Sequence, residues 1–224
     1  MPRLATQADF EGLVPDALYG NYHKYPFFAE RATWVENLHS RLVAAGVLNT
    51  VKINTKILVA GAAFGYLVEE LLARGFDVLG FDLSDYAIQK METSVNATAR
   101  GRMQKRDMLN GGDYTALRQS HDLRGNQKWH IIISEDVLPC LSDTEAEQGV
   151  SLARNGGTVR VHMITPGQPT DLFRVPTLNW KTMAQWRTFL TPTNGVMPDW
   201  LLSLEGDVST NPSLEYPPDG WVNP

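Results

Sequence analysis

The stretch KILVAGAAFGYLVEELLARGFDVLGFDLSDYAI, Lys56 to Ile88, decides the fold. KILVA, its first five residues, is short, apolar and β-branched, as a buried strand is. A turn of small residues follows, Gly61-Ala62-Ala63-Phe64-Gly65. YLVEELLARG then places Leu67, Leu71 and Leu72 on one side at helical spacing, with Gly75 where a helix end favours glycine. DVLGF reads as a second strand, ending on the carboxylate of Asp82. Strand, small-residue turn, helix and acid-tipped strand together outline a nucleotide-cofactor site. Such turns usually carry Gly-x-Gly, and this one has Ala63 at the second glycine position.

Working outward, SDYAIQKMETSVNATARG opens with Ser84 as an N-cap and reads as one helix. RMQKRDML contains a short third strand, and HIIISEDV a fourth, almost wholly β-branched over its first half. Ser142 and Glu145 form a capping-box pattern at the start of a helix in SDTEAEQGVSLARNGG. GTVRVHMIT alternates like a fifth strand. Upstream, ERATWVENLHSRLVAAG (Glu30 to Gly46) has Trp34, Leu38, Leu42 and Ala45 at helical spacing. Downstream, LNWKTMAQWRTFL reads as an amphipathic helix. Six prolines then fall among residues 191–224, which leaves loop or extended wrap and one short strand at DWLLSLE. The repeated alternation of strand and helix calls for an α/β fold of three layers, with a mostly parallel central sheet and right-handed crossovers.

The chain has 224 residues, enough for one sizeable domain. Its formal net charge of −5 argues against non-specific nucleic-acid binding. RGRMQKR (Arg100 to Arg106) holds four basic residues, which read as a solvated loop rather than a phosphate patch. Cys140 is the single cysteine, so no disulfide forms within the chain and a reducing compartment is expected, with the thiol buried and inert in the apolar VLPCL. The first twelve residues lack the apolar core of a secretion signal, and no apolar run is long enough to span a bilayer. The expectation is a cytoplasmic protein with no membrane partner; the oligomeric state is not legible.

Three strand ends carry the site, because ligands of open parallel sheets bind beyond the carboxyl ends of the strands. The first leads through Gly61 to Gly65 into a helix N-terminus, whose free amides favour a carboxylate or phosphate. The second ends at Asp82, 21 residues after Gly61, where doubly wound folds place an acid that grips ribose hydroxyls. The third ends at Asp107, able to accept from an exocyclic amine. A nicotinamide or flavin fingerprint needs a third glycine in the first helical turn, and Tyr66 stands there. A P-loop fails as well, since no Lys-Ser/Thr pair follows the glycines.

What survives is G-x-x-x-G followed by two acids, and this resembles the class I S-adenosylmethionine-dependent methyltransferases. The resemblance runs from about Lys56 to Thr165, reaching toward Leu190. It implies a Rossmann-like fold as a single domain over residues 1–190, with residues 1–50 as a helical lid segment, 51–165 as the cofactor-binding core, and a Pro-rich tail, 191–224, packed on it. It implies S-adenosyl-L-methionine as cofactor, cradled by Gly61, Ala62, Ala63 and Gly65. Asp82 would take the ribose hydroxyls, Leu83 would pack on adenine, and Asp107 would meet the adenine amine with the Met108 backbone beside it. Ser134 and Glu135 would lie near the methionine moiety. Ala63 and Val59 depart from the family pattern, and weaker cofactor binding is the expectation.

The expected activity is methyl transfer to an unidentified acceptor, a small molecule in preference to nucleic acid. No Asp/Asn-Pro-Pro-Tyr/Phe segment follows the fourth strand, which disfavours methylation of exocyclic base amines. Pro139-Cys140 lies too far along the chain for the nucleophile of cytosine-C5 enzymes. Proton acceptors for catalysis are sought in Glu135, Asp136 and His162; a packed, hydrogen-bonded His162 is the simpler expectation. Tyr22, His23 and Tyr25, in an aromatic segment before Trp34, are candidates for contacts to substrate or sulfonium, the equal alternative being a hydrophobic cluster that anchors the N-terminal helix. Trp180, Trp186 and Phe189 are expected in the core. The alternative reading is a protein that keeps the fold and binds the cofactor without doing chemistry.

Overall fold

A computed structural model of the chain describes residues 6–8, 35–36, 39–40, 42–44, 48, 50–135, 137–164, 179, 181–191, 199–203 and 214–215. In chain order its elements are β1 (Lys56–Ala60), α1 (Tyr66–Ala73), β2 (Asp77–Asp82), α2 (Asp85–Ser94), α3 (Ala97–Arg100), β3 (Met103–Lys105), α4 (Gly111–Ser120), β4 (Trp129–Glu135), α5 (Asp143–Gly156), β5 (Gly157–Ile164), α6 (Met183–Leu190), β6 (Trp200–Ser203) and β7 (Leu214–Glu215). The sheet runs β3-β2-β1-β4-β5-β6-β7. β1 to β6 are parallel, and β7 adds an antiparallel edge. This is the doubly wound order, with its switch point between the tips of β1 and β4.

Side chains alternate between two covered faces along each strand and so define the three layers. Ile57 and Val59 of β1 join Leu67, Leu71, Met91 and Ala99 in one helical layer, with Val35 and Leu42 from upstream. Leu58 and Ala60 face the other layer, with Leu117, Val150, Ala153, Trp186 and Leu190 of α4, α5 and α6. Such period-2 alternation between two covered faces is what a buried parallel strand requires. The expected Rossmann-like α/β architecture is therefore the observed one.

Room for α1 comes from a glycine on the strand rather than on the helix. A Cβ added to Gly80 of β2 would sit 2.5 Å from both Met103 Sδ and Val68 Cγ2. The helix thus packs closely although Tyr66 holds the place where dinucleotide fingerprints have their third glycine.

Two elements differ from expectation. The helix read through residue 100 is broken at Val95, which is extended, and α3 restarts with Asn96, whose side chain accepts from the Ala99 N–H at 3.0 Å. Asn96 N–H in turn donates to Glu69 Oε1 of α1 at 2.9 Å, so a tertiary bond holds the break. α4 was not expected at all. Two glycines at its start lower its propensity, but the Asn110 side chain caps it and Tyr114 and Leu117 are buried. Both bonds of the Ser142/Glu145 capping box form, as does a second box at Thr182/Gln185 that opens α6. The short strand expected in DWLLSLE is β6.

The basic stretch is consumed by local acids. Arg100, Arg102, Lys105 and Arg106 face Glu92, Asp77, Asp85 and Asp113 respectively. Among the described residues no helix is long and apolar enough to cross a membrane. Tyr22, His23, Tyr25, Trp34, Asp136, Trp180 and the prolines of the tail lie outside the described residues.

Candidate functional site

The turn after β1 is left-handed at three points, with φ of +69° at Gly61, +46° at Ala63 and +82° at Gly65. Glycine enters that region freely, whereas alanine pays about 1–2 kcal/mol. Ala63 is 6% exposed and packs with Phe64 and Ala87. Burying a methyl recovers about 0.8 kcal/mol. Ala63→Gly is therefore expected to change stability by less than about 1 kcal/mol, because glycine's chain entropy adds to the lost methyl and offsets the relieved strain. Ala63→Val adds a β-branch at the same φ and is expected to cost about 2 kcal/mol or more. Urea titration of both variants checks the pair.

Asp82 ties the turn to the tip of β2. Its Oδ2 accepts from the Ala63 N–H at 2.9 Å and its Oδ1 from the Ser84 N–H at 2.8 Å. Burial pushes its carboxyl above the ordinary range, and the N–H groups of Ser84, Ala63 and Leu83 pull against that shift. A carboxylate has about four acceptor sites, so it keeps capacity for a ligand hydroxyl beyond these N–H groups. Ser84 also caps α2, its side chain accepting from the Ala87 N–H. Leu83 stands between them, apolar and 38% exposed.

Asp107 lies one residue past the Arg106 N–H that donates to the Asp82 carbonyl at 3.0 Å. The two acids therefore sit on adjoining strand tips. Asp107 Oδ1 accepts from the Leu109 N–H at 2.8 Å, and its own N–H donates to Asp113 Oδ2. The Met108 side chain is buried against α5, where a Cβ on Gly149 would come within 2.9 Å of it. At the start of α1 the N-cap is Gly65, and no side-chain cap hydrogen bond forms.

β4 brings the remaining candidates to the same crest. Ser134 pairs with Ala60, the residue before Gly61, and with His162 on the other side. Ser134 Oγ and His162 Nδ1 are 2.7 Å apart, and both residues are buried. Glu135 ends β4 half-buried. Val137 leans over the turn so closely that a Cβ on Gly61 would stand 1.9 Å from Val137 Cγ2. Cys140 closes a short 3-10 turn, Leu138–Cys140, and is half-buried where a buried thiol was expected, because Leu138 and Pro139 take the inward positions of the turn. Trp186 is buried in the α6 layer and touches Phe189 edge-on.

Sequence reasoning missed what stands behind His162. Asp199, just before β6, lies 3.4 Å from His162 Nε2 and accepts from Arg160 and Arg154 at 2.6 and 3.0 Å. Arg160 and His162 share one parity on β5, and that pair of polar residues in an apolar strand was the available signal for a buried acid partner. Among the described residues no cluster of His, Cys, Asp and Glu is placed to hold a metal ion.

No protein-family model matches the chain, and no curated protein matches it either. Solved structures do resemble it. Magnesium protoporphyrin IX methyltransferase from Synechocystis PCC 6803 with bound SAH is 19% identical, covering 72% of each chain at a TM-score of 0.48. The same enzyme with bound SAM gives 18% identity over 72% of this chain and 67% of that one, at a TM-score of 0.47. A sugar N-methyltransferase from Streptoalloteichus gives 16% identity over 67% of this chain and 54% of that one, at 0.46. At these values the likeness is one of general chain path, and chemistry has to be argued from the residues themselves.

Proposed function

We propose that the protein is a methyltransferase that uses S-adenosylmethionine and acts on a small-molecule acceptor. The observation that carries this reading is the state of Asp82. Its oxygens are fixed in place by backbone N–H groups, Oδ2 by that of Ala63 and Oδ1 by that of Ser84, and they keep acceptor capacity at the strand tips, which suits the hydroxyls of a ribose. The surroundings fit the rest of that cofactor: an exposed Leu83 for the adenine face, Asp107 Oδ2 for its amine, and the uncapped amides of α1 with the Gly61–Gly65 turn for the methionine end. Bound there, the cofactor supplies a methyl group already activated on sulfonium.

The chain's own tasks are then alignment, exclusion of water and removal of a proton from the acceptor. Glu135, at the tip of β4, is the group we assign to proton removal. His162 is enclosed, and acts through Ser134 rather than on the acceptor. A small molecule is preferred because the protein is acidic overall, with a formal net charge of −5.

Isothermal titration with S-adenosylmethionine tests the reading. Wild type is expected to bind in the micromolar to sub-millimolar range. Asp82→Ala is expected to weaken binding by about tenfold or more, the loss of two charge-assisted hydrogen bonds. No heat at millimolar cofactor, with the protein shown folded by circular dichroism, would refute it.

A further inference from the structure

Beneath the crest, on the face covered by α5 and α6, a buried polar chain crosses three strands. Arg154 of α5 donates from Nε to Asp199 Oδ2 at 3.0 Å and from Nη2 to the Leu190 carbonyl at 2.7 Å. Arg160 of β5 donates from Nε to Asp199 Oδ1 at 2.6 Å and from Nη1 to the Thr158 carbonyl. His162 Nε2 stands 3.4 Å from Asp199 Oδ2, and its Nδ1 stands 2.7 Å from Ser134 Oγ. The Asp199 side chain is fully enclosed, and His162 and Ser134 are 1% and 2% exposed.

The direction of each hydrogen bond follows from charge. Nε2 faces a carboxylate, so it carries a hydrogen. Buried Arg160 and half-buried Arg154 both already donate to this one carboxylate, so a neutral ring avoids burying a further positive charge. A neutral ring with hydrogen on Nε2 has a bare Nδ1, to which the Ser134 hydroxyl must donate. We propose that Asp199 is a positioning residue for Ser134. By fixing the His162 tautomer it commits the Ser134 hydrogen inward and leaves only oxygen lone pairs toward the tips of β1 and β4. The ligand group that meets Ser134 is then an N–H donor, an ammonium above all, and a carboxylate is repelled. This rests on the cofactor reading above, because the ligand argued there carries one amino group and one carboxylate at its methionine end. Ser134 selects which of the two turns inward.

Two measurements on the full chain test this. In protein carrying 15N-labelled histidine at neutral pH, the His162 ring is expected to show hydrogen on Nε2 and none on Nδ1, its signal assigned by its loss in His162→Asn. Asp199→Asn presents an amide N–H to Nε2 and is expected to move the hydrogen to Nδ1. A wild-type ring protonated on Nδ1 overturns the proposal whether or not any ligand binds, and does so even if Asp199→Asn fails to fold. Calorimetry with S-adenosylhomocysteine and its analogue lacking the amino group reads the ligand half. Wild type is expected to prefer the amine by about tenfold, and Ser134→Ala to lose most of that preference. An unchanged preference in Ser134→Ala overturns the assignment of Ser134, while a chain that binds neither compound overturns the cofactor reading and leaves the tautomer to its spectrum.

Discussion

Asp199→Ala is expected to cost about 3–5 kcal/mol of stability, because it strands the buried Arg160 guanidinium, the half-buried Arg154 and a histidine around an empty site. Arg160 and Arg154 both donate to this carboxylate, at 2.6 and 3.0 Å, and its side chain is fully enclosed. The acid also ties β6 to β5 and, through Arg154, to the carboxyl end of α6. Urea unfolding followed by circular dichroism checks the size; a loss below about 1 kcal/mol would mean that water already screens the cluster. The same group gives a pH signature. Burial raises its carboxyl, but the His162 hydrogen bond and the charges of Arg160 and Arg154 outweigh burial and hold it below the ordinary range. A depressed acid contributes stability that is complete above its unfolded value of about 3.9 and is lost as pH falls through the folded one. Wild type is therefore expected to lose stability below about pH 4 more steeply than Asp199→Ala does.

Gly61→Ala is expected to destabilise the chain by about 2–4 kcal/mol and to abolish measurable cofactor binding. Two costs add at this position. The residue has φ +69°, and the new methyl would stand 1.9 Å from Val137 Cγ2. Gly75→Ala isolates the first cost, since Gly75 has φ +86° and nothing within 4 Å of an added Cβ. That control is expected to lose only about 1–2 kcal/mol. Equal losses in the two variants would show that Val137 moves aside freely and does not define the turn.

The fold was legible where local pattern and tertiary environment agree. KILVA and DVLGF are apolar on both faces because both faces are covered, and the turn between β1 and α1 announces itself by its small residues. The capping box at Ser142 and Glu145 lies within one helical turn and formed as read. What could not be read depends on contacts distant along the chain. The break at Val95 is held by Glu69 of another helix, and α4 is held by a buried face that its two leading glycines disguise. In the candidate site, Asp82 follows from the rule for doubly wound strands. Its bond to the Ala63 N–H follows from the left-handed φ there, which the sequence leaves open. Asp199 and Val137 were invisible for a plainer reason. Asp199 meets His162 across 37 positions, and Val137 meets Gly61 only because β4 lands beside β1 at the switch point.

The central claim is that Asp82 and Asp107 converge on one adenosine lying across the tips of β2 and β3. A crystal structure of the chain with S-adenosylhomocysteine tests it most directly. The account predicts both Asp82 oxygens within hydrogen-bonding distance of the two ribose hydroxyls, Asp107 Oδ2 on the adenine amine and Leu83 against the ring. A ligand bound away from these strand tips, or a site in which Val137 closes the turn and the two acids face different spaces, would contradict it.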